Sequence, residues 1–78
     1  MATTYSPSVE DQIELEERFT YHEPKGDQLD RYQEIRKQAY ELALTIASLT
    51  PRSREQSLAI TNLEQAIFWA NAGIARNE

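Results

Sequence analysis

Between Gln28 and Leu49, apolar side chains recur at Tyr32, Ile35, Ala39, Leu42, Ile46 and Leu49, three or four positions apart. That spacing returns to one face of an α-helix at each turn. It predicts a helix over about 28–49 with a continuous apolar seam. Leu29 and Ala43 widen the seam, while Arg31, Arg36 and Lys37 fall on other faces. A second run, Ile60, Leu63, Ile67, Ala70 and Ile74, repeats the pattern and predicts a helix over about 51–76. Only Thr50-Pro51-Arg52-Ser53 separates the two runs. Thr50 is an expected N-cap with Pro51 in the first helical position; Ser53 is an alternative cap that starts the helix slightly later. Two seamed helices joined by so short a break fold back antiparallel.

The pattern upstream is weaker. Residues 1–8 read as a flexible tail. Ser8 can cap a short helix over about 9–19, with Asp11 favourable near its positive end. Val9, Ile13 and Phe19 are its few apolar positions among many acids. Residues 20–27 interrupt it: Pro24 keeps Glu23 out of helical geometry, Gly26 permits a turn, and Asp27 is an expected N-cap for the helix that follows. The fold class is therefore all-α, a short N-terminal helix plus a two-helix antiparallel hairpin, with 9–78 as a single helical domain.

The second long helix is apolar on more than one face. Ala59, Ala66, Phe68, Trp69, Ala72 and Gly73 lie largely off its seam. A hairpin has nothing of its own to cover that face, so a second copy of the chain is the expected cover and a homo-oligomer the expected assembly. The alternative is that the short N-terminal helix covers it within one chain. Composition favours the oligomer. A chain of 78 residues builds a thin core, and its cysteine count of zero and single histidine leave no disulfide or His-rich metal site to brace it.

Charge narrows the function. The net charge is −5, whereas a general binder of long nucleic acid is basic. No stretch has the length and apolarity to span a bilayer, and the first residues lack the parts of a signal peptide; a cytoplasmic location is the simplest expectation. No cysteine nucleophile, phosphate-binding glycine loop or metal-ligand cluster is present. His22 near Glu23 or Asp27 could serve as a general base, but a lone loop histidine more often hydrogen-bonds or stacks. The expectation is a non-enzyme without cofactor or metal.

One stretch does carry binding chemistry. Phe19-Thr20-Tyr21-His22-Glu23-Pro24-Lys25-Gly26-Asp27-Gln28 concentrates two aromatics, an imidazole, a proline and a lysine. Flat side chains stack on nucleobases, and Lys25 can approach a phosphate. The competing reading is that Phe19 and Tyr21 anchor the loop while Pro24 and Gly26 only turn the chain. Arginine is the second ingredient, because its guanidinium grips phosphate in a two-pronged way. In an antiparallel hairpin Arg76 and Asn77 return toward the Tyr21–Gln28 loop, whereas Arg52 and Arg54 lie at the far end. Arg76 has its own structural reading as a favourable charge at a helix C-terminus. The residues thus point to a helical oligomer able to bind a small aromatic anion, with the ligand left open.

From Phe19 to Asn77, about three quarters of the chain, the sequence resembles the phage anti-CBASS cyclic-oligonucleotide sponge family, whose helical-hairpin domain is shared with anti-Thoeris sponges. The pieces are Phe19-Thr20-Tyr21-His22 with Pro24, Lys25-Gly26-Asp27-Gln28, Arg31-Tyr32 with Ile35-Arg36, Ser53-Arg54-Glu55 with Ser57-Leu58-Ala59, Leu63-Glu64 with Ala66, Trp69-Ala70-Asn71, and Ile74-Ala75-Arg76-Asn77. The resemblance implies a protein that sequesters cyclic dinucleotides such as cyclic GMP-AMP, and in some members cyclic trinucleotides, in the host bacterial cytoplasm, without cutting them, so that host effectors stay off. It implies compact homo-oligomers, commonly hexamers, with ligand held between protomers. It assigns the stacking role to Tyr21, a basic role to Arg36 with Lys37 as the alternative, and a terminal basic role to Arg76. The binding set so implied is Tyr21, His22, Pro24, Lys25, Gln28, Arg36 or Lys37, Arg76 and Asn77. The competing function is a helical module that binds a host protein through the Phe68-Trp69 face.

Overall fold

The structure is a computed structural model that describes residues 2–78. It contains three helices, α1 Val9–Phe19, α2 Gln28–Leu49 and α3 Arg54–Asn77, and no strand among the described residues. The all-α class and the hairpin are as the hydrophobic spacing predicts.

Local chemistry sets each helix end. At the start of α1, the Ser8 hydroxyl accepts from the Asp11 amide at 3.0 Å and the Asp11 carboxylate accepts from the Ser8 amide at 3.1 Å. This reciprocal pair satisfies two donors that a helix start otherwise leaves open. The start of α2 departs from expectation. Asp27 occupies the N-cap position but makes no side-chain cap. Its backbone, at φ −90 and ψ 10, is not the extended conformation from which a cap reaches forward. Its carboxylate instead accepts from Arg31 Nε at 3.2 Å, one turn on. The turn before it needs glycine, because Gly26 has φ 58, a left-handed conformation costly for residues with a Cβ.

At the start of α3 the Thr50-Pro51 expectation gives way to the alternative. Ser53 is the cap, and its hydroxyl accepts from the Gln56 amide at 3.1 Å. Thr50 closes α2 instead: its amide and its hydroxyl both donate to the Ile46 carbonyl, at 3.1 and 2.6 Å. The residue before a proline is held extended, and Thr50 is so, at φ −127 and ψ 149. Gln56 Nε2 donates back to the Thr50 carbonyl at 3.0 Å and ties the turn to α3.

The seam of α2 packs against that of α3, with Ile35, Ala39, Ala43 and Ile46 facing Ile60, Leu63 and Ile67, all half-buried. Among the described residues, only Tyr32 of the apolar ones and Gln28 of the polar ones are buried. The molecule is 51 × 41 × 14 Å. Its shortest extent is close to the diameter of a single helix with side chains, about 10–12 Å. A layer one helix thick has no interior, whereas stable domains stack two or more layers. Two measures agree. The radius of gyration is 17.8 Å, against about 11.5 Å for a compact chain of this length. The accessible surface is 6766 Å², against about 4,900 Å² for a compact monomer of this mass. α1 buries no residue, and Phe68 and Trp69 are 65% and 66% exposed. The alternative in which α1 covers that face within one chain is therefore not the one the chain adopts.

Candidate functional site

The end of α1 is finished by three donors that come from outside it. Thr20 Oγ1 donates to the Glu16 carbonyl at 2.5 Å, His22 Nε2 lies 3.0 Å from the Glu17 carbonyl, and Arg76 Nη2 donates to the Arg18 carbonyl at 3.3 Å. These are carbonyls that a helix end leaves without partners. A carbonyl only accepts, so His22 carries a proton on Nε2 in this arrangement. The Glu17 carboxylate lies 3.6 Å from the same nitrogen. Arg76 brings a positive charge to the negative end of α1 and ties α1 to the last turn of α3.

The start of α2 is tied to α3 as well. Gln28 is 3% exposed. Its amide nitrogen donates to the Lys25 carbonyl, and its side-chain oxygen accepts from the Lys25 amide, each at 3.1 Å. Its Nε2 points to the Glu78 carboxylate at 3.4 Å. Glu78 is gripped by Arg31, whose Nη1 donates to Oε2 at 2.8 Å and whose Nη2 donates to Oε1. The Arg31 hydrogen bond holds the Glu78 carboxyl below the usual carboxylate range, against an opposing contribution from partial desolvation. The same pairing, led by the Glu78 hydrogen bond, raises Arg31 above its ordinary value.

Between these anchors the loop projects outward. Tyr21 is 82% exposed, and Glu23, Pro24 and Lys25 are exposed beside it. Tyr21 therefore does not anchor the loop to the seam. Lys25 makes no ion pair among the described residues. Asn77 is exposed and donates to the Gly73 carbonyl at 2.9 Å, one turn back.

The open end of the hairpin thus gathers Tyr21, His22, Pro24, Lys25, Gln28, Arg76 and Asn77. It does not gather Arg36 and Lys37, which lie eight and nine positions beyond Gln28, about 12–14 Å along a helix. Arg36 instead borders a groove of about 310 Å³ along the hairpin face, with Tyr40, Glu64 and Phe68 at its rim and Ala39, Ala43, Ile60, Leu63 and Ile67 as its floor. Arg76 and Asn77 also line a groove against α1, beside Glu10, Glu14 and Glu17.

Sequence reasoning passed over three of these features. Tyr40 lies beside Arg36 in the groove, though its spacing from Arg36, one helical turn, was visible. The Arg31–Glu78 pair joins residues 47 positions apart, and nothing local signals it. The Thr20–His22–Arg76 closure of α1 requires knowing where Arg76 returns.

An exposed ring and an ammonium without an ion pair, on one loop fixed at both ends, can stack on a flat group and meet an anion. No group of three or more His, Asp or Glu able to hold a metal exists among the described residues, and no helix there is long and apolar enough to cross a membrane. Residues 11–75 match the family described as Acb2/Tad1, hairpin domain, which bears out the family resemblance carried by the sequence motifs. No curated protein and no solved structure matches the chain.

Proposed function

Since the chain belongs to the Acb2/Tad1 hairpin-domain family, we propose that it is a phage anti-defence sponge that binds cyclic oligonucleotide messengers and holds them without cutting them. The family match, over most of the chain, is the observation that carries this reading. The loop geometry supports it. Tyr21 presents a free face for a base, and Lys25 presents an unpaired charge for a phosphate. Stacking of this kind is worth about 1–3 kcal/mol per base.

The ligands of the proposal are cyclic dinucleotides such as cyclic GMP-AMP, with cyclic trinucleotides as a second class. The assembly is a homo-oligomer, a hexamer as the resemblance implies, acting in the host cytoplasm. The one-layer shape supports an assembly. The surface in excess of a compact monomer is about 1,900 Å², more than twice the roughly 800 Å² that one partner buries in an ordinary interface. Assembly also bears on the basic residues. Arg36 and Lys37 lie about 12–14 Å along α2 from Gln28, and in an assembly a neighbouring copy can bring its Arg36 to the first copy's Tyr21. A two-fold interface presents two rings and two cations to a ligand with two bases and two phosphates. In this assignment His22 and Arg76 shape the loop by closing α1, and Tyr21, Lys25 and a neighbour's Arg36 meet the ligand.

The test is calorimetry of the full chain against cyclic GMP-AMP and cyclic tri-AMP, followed by chromatography of the recovered ligand. Saturable binding with intact ligand is the expected result. Absence of heat with every cyclic di- and trinucleotide would overturn the reading, and cleaved ligand would make the protein an enzyme.

A further inference from the structure

Gln28 is the only polar residue buried among the described residues, in a chain that buries almost nothing else. A primary amide taken out of water is costly where its hydrogen bonds are not replaced. Here they are replaced on both sides. Its backbone and side chain form a reciprocal pair with Lys25, and its Nε2 faces Glu78 at the end of α3. Lys25 is thereby fixed through its own backbone, immediately before the left-handed Gly26. The other end of the loop is fixed by His22 on the Glu17 carbonyl. Every polar atom that Gln28 could offer a ligand already faces a group of this chain.

We propose that Gln28 is the positioning residue of the exposed loop. It sets where Lys25 and Tyr21 stand by clamping the turn to Glu78 on α3, and it does not touch the ligand. The proposal rests on the sequestration reading and deepens it. A loop held in place before binding loses less conformational freedom on binding, so loosening the clamp lowers affinity through the loop. It also makes the end of α3 a determinant of affinity, because Glu78 is one jaw of the clamp and Arg31 holds that jaw.

Three full-length variants test it: Gln28→Ala, Gln28→Glu, and Gln28→Glu combined with Glu78→Gln. The readouts are hydrogen exchange at the Lys25 amide without ligand, and affinity for cyclic GMP-AMP. Gln28→Ala removes the acceptor of the Lys25 amide, so exchange there accelerates and affinity falls about ten-fold. Gln28→Glu keeps that acceptor but sets two carboxylates against each other where the amide met Glu78, and it weakens binding at neutral pH. The double variant reverses the polarity of the Gln28–Glu78 contact and keeps the charge of the cluster, but it leaves Arg31 one acceptor oxygen at position 78 instead of two, so it recovers both readouts in part. Rescue by the swapped pair is a result that general loss of folding does not produce. Weakened binding with unchanged Lys25 exchange would make Gln28 a ligand contact and overturn the proposal. So would parental values of both readouts in Gln28→Ala, or failure of the double variant to recover. If the parent binds no cyclic dinucleotide, the sponge reading fails by itself, and the exchange measurements still decide whether Gln28 holds the loop.

Discussion

Trp69 offers the most direct measure of whether copies of this chain cover one another. It is 66% exposed in the single chain. An aromatic of its size buries up to about 250 Å², so about 165 Å² of Trp69 is left to be covered by something else. At about 25 cal/mol per Å², full coverage contributes about 4 kcal/mol to association. Alanine keeps a fraction of this, so Trp69→Ala weakens each contact by about 3 kcal/mol, a rise in dissociation constant of more than about a hundredfold. The substitution leaves the hairpin itself intact, because Trp69 lies off the seam formed by Ile60, Leu63, Ile67 and Ile74. Sedimentation velocity over a concentration series, with far-ultraviolet circular dichroism as a control, reads both effects. The parent is expected to sediment well above the 9.0 kDa of one chain. Trp69→Ala is expected to shift toward that mass on dilution with its helicity unchanged. A parent that sediments as a single 9.0 kDa particle would refute the assembly. A variant whose mass matches the parent at every concentration would refute the role of Trp69 in it.

Other expectations are local. Tyr21→Ala lowers affinity for cyclic GMP-AMP by about 5- to 150-fold, the loss of about 1–3 kcal/mol of stacking, with helicity unchanged because the ring packs on nothing; calorimetry showing parental affinity would move the stacking role elsewhere. Ser53→Ala removes the cap of α3 and destabilises the fold by about 1 kcal/mol, read as a lower denaturant midpoint; an unchanged midpoint would contradict the cap. Glu78 has a lowered pKa in the folded chain, so its contribution is present above the ordinary carboxylate value and is lost only as pH falls through the lower, folded value. Carbon-detected NMR titration should place Glu78 below the ordinary carboxylate value, and a midpoint at that value would show that Arg31 does not hold it.

The helical class and the antiparallel hairpin were legible because they follow from periodicity. Ile35, Ala39 and Ile46 on α2, and Ile60, Leu63 and Ile67 on α3, announce two facing seams with no tertiary information. Two expected cap bonds that do not form show where that legibility stops. Thr50 and Asp27 have the right side chains, yet each is engaged by another partner: the Thr50 hydroxyl donates back to the Ile46 carbonyl, and the Asp27 carboxylate accepts from the Arg31 side chain. Candidate site residues were readable as a cluster of types, since an aromatic, a lysine and a glycine crowd one loop. Their division of labour was not. Whether Gln28 or Arg76 faces outward depends on Glu78 and Arg18 arriving from 50 and 58 positions away, and only the closed hairpin brings them there.

The Phe68-Trp69 face also separates the two functional readings. A module that binds a host protein needs this face free. A sponge that holds its ligand between copies, with a neighbour's Arg36 brought to Tyr21 as proposed, needs the face covered. The same surface cannot serve both at once. Phe68 and Trp69 leave two large rings in water on this face, 65% and 66% exposed, and covering them is favourable whichever partner does it. A second copy is always present at the concentration of the first, and the small residues Ala59, Ala66 and Ala72, off the α2–α3 seam, allow close approach of like helices. In the proposed assembly, self-association is the expected competitor of any host partner. Mixing labelled and unlabelled chains decides the matter. Slow exchange of subunits, with Trp69 fluorescence unchanged by bacterial lysate, is what a closed assembly gives. Displacement of subunits by a single lysate protein, together with loss of cyclic nucleotide binding, would put the face in the service of that partner instead.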